Sequence, residues 1–215
     1  MRQLLLPLLI ATAGLSACAA MPVGNPKVPE PAQRVELDRY LGTWREFARY
    51  ENRFERDCVN VTATYGQRPD GKLSVLNACE RGGKSTVAKG VARLTGDDKG
   101  AKLEVSFFGP FYADYWVLDR APDYSWSIVG ESSGRYLWIL TRQARPDAQT
   151  REDLVARVKA LGYDTSLLHF TAQHPFHHLH GFGIGHTHAL DELPLFAQAM
   201  QQGVNLRATA RHHHR

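Results

Sequence analysis

The sequence predicts an all-β fold, eight antiparallel strands in a meander followed by one α-helix. Three observations lead there. Between residues 35 and 143, short segments with alternating apolar side chains succeed one another. Pieces rich in glycine, proline and aspartate separate them. Downstream, one stretch switches to helical spacing of its apolar residues.

The first strand is expected at 44–50. In the second, Val59, Val61, Ala63 and Tyr65 alternate with polar neighbours, and Pro69, Asp70 and Gly71 then signal a turn. Further strands are expected at 73–79, 85–94, 102–108, 112–118, 125–131 and 136–142. Turn-prone pieces separate them: Arg81-Gly82-Gly83, Gly96-Asp97-Asp98, Gly109-Pro110, residues 119–123, and Ser132-Ser133-Gly134. Eight strands with such short connections either pack as a sandwich or close as a barrel. The helix follows, with Thr150 as its expected cap and Glu152 and Asp153 at its positive end. Leu154, Val155, Val158 and Leu161 form its apolar face, and Gly162 supplies the left-handed stop. A last short strand is expected at 167–172.

Hydrophobic residues make up 43% of the chain and charged residues 22%, enough for a substantial core. A formal net charge of +4, without any basic block, gives no support to nucleic-acid binding. At the N-terminus, Met1 and Arg2 precede an apolar run over 4–15. That run is shorter than the about 20 residues a membrane-spanning helix needs, and it reads as a secretory signal over 1–17. Leu15-Ser16-Ala17-Cys18 resembles the bacterial lipobox, which implies that Cys18 becomes the lipidated first residue of the mature chain. Ala19 after it resembles signals for the outer membrane. Residues 19–34 hold four prolines and are expected to form, with Cys18, an extended, solvated tether over 18–34. The other cysteines, Cys58 and Cys79, are an even pair in an oxidising compartment, which predicts a disulfide. Two free buried thiols, or a metal site, are the alternatives.

Three short motifs carry a resemblance to a known family. Gly42 and Trp44, in Leu41-Gly42-Thr43-Trp44, match the lipocalin G-x-W signature. Asp114-Tyr115 resembles the second lipocalin motif, and Arg142, closing Tyr136-Leu-Trp-Ile-Leu-Thr-Arg142, resembles the third. Longer pieces around Tyr40–Tyr50 and Val105–Phe111 resemble the bacterial lipocalins akin to apolipoprotein D. The resemblance spans about 35–173 and implies an eight-stranded up-and-down barrel holding one small ligand. In it, Gly42 turns the chain into the first strand, Trp44 plugs a closed end, and Arg142 lies across its ring. It also implies an outer-membrane, periplasm-facing protein that binds fatty acids, lysophospholipids or similar amphiphiles, and it leaves a homodimer open. No cofactor is implied.

Ligand contacts would come from the inner wall. Taking Trp44 as inward, alternation puts Glu46, Ala48 and Tyr50 on the same face. Tyr136, Trp138 and Leu140 share parity with Arg142. In the middle strands Tyr65, Val75, Phe107 and either Tyr115 or Trp116 are candidates, although a bulge would reverse that choice. An inward Glu46 would be a buried carboxylate that must be paired or protonated, and parity puts Arg49 on the opposite face.

No catalytic constellation is evident. Residues 35–168 contain no histidine, so no catalytic residue is assigned and a binding protein is expected instead of an enzyme. All ten histidines fall at or after His169. The 174–215 extension is expected to be weakly ordered, with a short amphipathic helix near 190–200. Two alternative functions remain: a metal-handling lipoprotein using His177, His178, His180, His186 and His188, or a lipocalin-fold enzyme acting on an amphiphile.

Overall fold

The structure, a computed structural model, describes residues 22–96 and 99–174. The expected signal segment, Cys18, and the histidine-rich stretch beyond residue 174 lie outside the described residues, as do Asp97 and Asp98.

A one-turn helix α1 (Leu37–Tyr40) leads into β1 (Gly42–Tyr50). There follow β2 (Val59–Gln67), β3 (Leu73–Arg81), β4 (Lys84–Leu94), β5 (Lys102–Phe108), β6 (Phe111–Arg120), β7 (Trp126–Gly130) and β8 (Leu137–Thr141). Each strand pairs antiparallel with the next, and β1 pairs with both β8 and β2, so the sheet closes on itself. Of the two architectures the strand pattern allowed, the closed barrel is the observed one. Closure leaves the eight strands without an edge, the liability of an open sheet.

Helix α2 (Ala148–Ala160) packs on the outside of the barrel. Its cap is Asp147, not Thr150: the Asp147 carboxylate accepts the Thr150 N–H at 2.7 Å, which places Thr150 inside the first turn. Leu154 and Val158 are buried against Ile128, Leu137 and Ile139 on the outer faces of β7 and β8. Gly162, at φ +87°, ends the helix in the left-handed region.

A final strand, β9 (Leu168–Phe170), pairs with Ala48–Tyr50 of β1. It takes the place along β1 that β2 leaves, since β2 pairs only with Gly42–Arg45. Gln173 completes the wedge, donating to the carbonyls of Glu46 and Val61 at 2.9 and 3.1 Å.

Two expectations need correction here. Residues 22–34 are extended and mostly exposed, as expected, but they are not a free tether. The Gly24 and Asn25 N–H groups bond the Gly134 carbonyl, Asn25 is 2% exposed and donates to Leu161, and Lys99 donates to the Pro31 carbonyl. The segment is a strap along the barrel wall, held because its backbone finds partners there. The second correction is to parity. A β-bulge between Glu46 and Ala48 resets the alternation of β1. Trp44 and Glu46 face inward, but Phe47, Ala48 and Tyr50 join the outer core under α2, and Arg49 turns inward.

Candidate functional site

One end of the barrel is sealed. Trp44 is fully buried there and donates its indole N–H to the Tyr40 carbonyl at 2.8 Å. The Arg142 guanidinium lies over its ring, 3.7 Å from the centroid. Arg142 also donates to the carbonyls of Thr43, Arg39 and Leu41 at 2.9–3.0 Å. It thereby fastens the end of β8 to α1 and the start of β1. Gly42 sits at φ +89°, and a Cβ there would lie 3.5 Å from the guanidinium.

Above this seal is a hollow with a cavity volume of about 60 Å³, open at its mouth. Val61, Val75, Val105, Phe107 and Leu140 form an apolar wall. Tyr65 and Tyr115 mark the floor, joined by a hydrogen bond of 2.8 Å that continues through Tyr40 to Ser127 at 3.0 Å each. Burial pushes the Tyr40 hydroxyl up to about 12 and raises Tyr65 and Tyr115 as well, so these groups remain neutral phenols.

Polar groups collect toward the mouth. Glu46 (2% exposed) and Arg49 (0%) form a buried ion pair at 2.9 Å. Arg49 Nη1 also reaches Thr171 and Nη2 reaches the Glu55 carbonyl and Glu51, while its buried Nε has no partner among the described residues. The Thr171 hydroxyl donates in turn to Glu46. Burial, reinforced by the negative charge of Glu55, raises Glu46 to about 8 against the pull of Arg49. Glu55 is itself fixed by donors from Asn52 and the Trp138 indole at 2.6 and 3.1 Å. Phe54, Tyr136 and Trp138 stack in succession with centroids 5.8 Å apart. Asp114 accepts the Ser132 hydroxyl and lines the hollow. The Cys58–Cys79 disulfide, with Cα atoms 5.6 Å apart, ties the chain entering β2 to the end of β3.

Among the expected contact residues, Glu46, Tyr65, Val75, Phe107, Tyr115, Trp138 and Leu140 line this space. Tyr50 does not: the β1 bulge sends it outward, where its hydroxyl donates to the Asp164 carbonyl at 2.8 Å. Tyr136 stacks behind Trp138 and does not line the hollow. Between Tyr115 and Trp116 the structure selects Tyr115, since Trp116 packs with the outer core. Sequence reasoning missed Phe54, Glu55, Asn77 and the Arg49 partner of Glu46. Phe54 and Glu55 lie on the β1–β2 loop, where periodicity says nothing. Among the described residues no group of His, Cys, Asp and Glu could hold a metal ion. The five histidines of the metal alternative lie outside the described residues.

A sealed base, a single mouth and eight strands invite comparison with known proteins. A family model described as a lipocalin-like domain matches residues 35–173. The chain belongs to the lipocalin-like family. Lipocalins generally bind small hydrophobic ligands and are typically not enzymes. The outer membrane lipoprotein Blc of Escherichia coli K12 is 38% identical over 165 residues, covering 75% of this chain and 93% of that protein. Temperature-induced lipocalin-1 of Arabidopsis thaliana is 38% identical over 157 residues, covering 68% of this chain and 84% of its own. Among solved structures, insecticyanin of the tobacco hornworm Manduca sexta superposes with a TM-score of 0.57 at 23% identity. That match covers 70% of this lipocalin and 86% of insecticyanin, and it speaks to the fold alone.

Proposed function

We propose that this lipocalin binds and carries a small hydrophobic ligand, a fatty acid, lysophospholipid or similar amphiphile, in the bacterial cell envelope. The observation that carries the reading is the one-ended hollow with its valine, leucine and phenylalanine wall. Each methylene moved from water into such a wall contributes about 0.8 kcal/mol. The lipobox-like Leu15-Ser16-Ala17-Cys18, together with the likeness to an outer membrane lipoprotein, supports a periplasm-facing protein anchored through lipid on Cys18. On that reading residues 1–17 are removed, 18–34 connect anchor to barrel, and 35–173 are the binding unit. The absence of histidine from residues 35–168 supports binding over catalysis.

The test is titration of the purified protein with single-chain amphiphiles, followed by tryptophan fluorescence. Trp138 stands in the wall, so quenching should saturate at one ligand per protein, and Trp138→Phe should remove most of the signal. If fatty acids, lysolipids and long-chain alcohols all leave fluorescence without a saturable change, the reading fails.

A further inference from the structure

We propose that a second site lies on the outer wall of the barrel, a groove between β4 and β5 that takes a phosphate group, carried by a lipid head or free in solution. Arg68, Lys89, Ser106 and Tyr112 would hold it. The groove forms where the two strands part. β4 and β5 pair over Val91–Leu94 and Leu103–Ser106, and Val91 with Ser106 is the last pair toward the mouth. Beyond it β4 continues alongside β3, while β5 turns into β6 through Phe108 and Phe111. Ala92 and Val105 face the core, so alternation turns Lys89, Val91 and Ser106 outward. An open groove of about 330 Å³ results. Phe107 lines it as well as the hollow, so the two spaces lie against one stretch of wall.

Two independent features mark the groove as a place for an anion. The first is unfilled hydrogen-bonding capacity. Ser106 is 7% exposed, and its Oγ is buried without a partner. A hydroxyl left in that state is costly, and a bound acceptor relieves the cost. The second is charge. Lys89 is exposed and forms no ion pair or hydrogen bond among the described residues, and its partner across β3 is Leu76. Arg68 pairs with Asp70 at 3.1 Å through Nε and Nη2, which leaves Nη1 outside the pair. Asp70 is shared with Lys72 at 3.8 Å, so one carboxylate stands against two cations. Glu104, on the same face of β5 as Ser106, is held by Arg93 through bonds of 2.9 and 2.7 Å. Among the described residues no carboxylate lines the groove. A phosphate group presents several anionic oxygens in different directions. It can accept from the Ser106 and Tyr112 hydroxyls while the guanidinium and ammonium offset its charge. A carboxylate, with two oxygens in one plane, would leave some of these donors unmet.

The test is calorimetric titration of the full-length protein with inorganic phosphate and with glycerol phosphate at about pH 8, where histidines are neutral. Both should bind saturably, one per protein. Glycerol phosphate binding several-fold tighter supports the site as one for a lipid head, and equal affinities support it as one for free phosphate. Lys89→Gln should weaken binding about tenfold and Ser106→Ala several-fold. Lys84→Gln, the same charge change outside the groove, should leave binding as it was. Without phosphate, Ser106→Ala should melt no lower than the parent, since the hydroxyl it removes has no partner. A lower melting temperature would show that hydroxyl already bonded and would overturn the site. So would the absence of saturable binding, binding indifferent to both Lys89→Gln and Ser106→Ala, or a loss in Lys84→Gln as large as in Lys89→Gln.

Discussion

Arg49 and Glu46 are three residues apart on one strand, a spacing that sends side chains to opposite faces of a regular sheet. The bulge between Glu46 and Ala48 brings them together. The pair then meets the requirement that buried charges be partnered, and Thr171, Glu51 and the Glu55 carbonyl add bonds to it, leaving only the buried Arg49 Nε without an acceptor among the described residues. Glu46 binds its proton more tightly folded than unfolded, with an ordinary value of 4.5 raised to about 8. Its contribution to stability is therefore complete below the lower value and is lost as pH rises through the upper one. The melting temperature should decline across that window, and Glu46→Gln should flatten the decline, as read by thermal scans at stepped pH. An equally steep decline in the variant would assign the effect to another group. That Glu46 is a buried carboxylate in need of a partner was legible in the sequence; the partner was not, because a bulge leaves no signature in alternation.

The elements differ in how far local sequence specifies them. The eight barrel strands stand where alternation and turn residues put them, since each needs only its own neighbours to declare a face. Helix α2 is likewise present, with its start set by Asp147. The strap over 22–34 was not legible: a proline-rich, polar stretch reads as solvated chain, and its anchoring depends on carbonyls of β-barrel loops remote in sequence. Helix α1 was missed for its single turn. The disulfide acts at this scale. It links residues 21 apart and holds the loop bearing Phe54 and Glu55 beside the end of β3. Replacing both Cys58 and Cys79 by serine should cost about 3 kcal/mol, measured as a lowered urea midpoint with reductant-insensitive unfolding.

For the molecule as a whole, closure matters most. The barrel becomes a cup only where the end of β8 meets α1 and β1, and Arg142 makes that junction through its ring contact and its bonds to three successive carbonyl-bearing segments. Arg142→Ala should lower unfolding stability by about 2–3 kcal/mol, the sum of a cation–π contact and charge-assisted hydrogen bonds. Arg142→Lys should recover little of it, because a point ammonium cannot both stack flat on Trp44 and reach several acceptors. Urea denaturation of the three proteins distinguishes these outcomes, and full recovery by lysine would show that charge alone matters at the base.

The sequence by itself determined the strand count, the helix and the cysteine pair, and the family resemblance carried by its short motifs implied that Trp44 and Arg142 meet at a sealed base. Those features depend on local alternation or on side chains held in short motifs. The tertiary structure alone decided which side chains share the hollow. Register shifts at 46/48, 59/62, 105/108 and 117/119 reset inward and outward faces strand by strand, and Glu55 arrives from a loop with no periodicity. The physical reason is that a face is fixed by pairing with a neighbouring strand, and pairing belongs to the folded sheet.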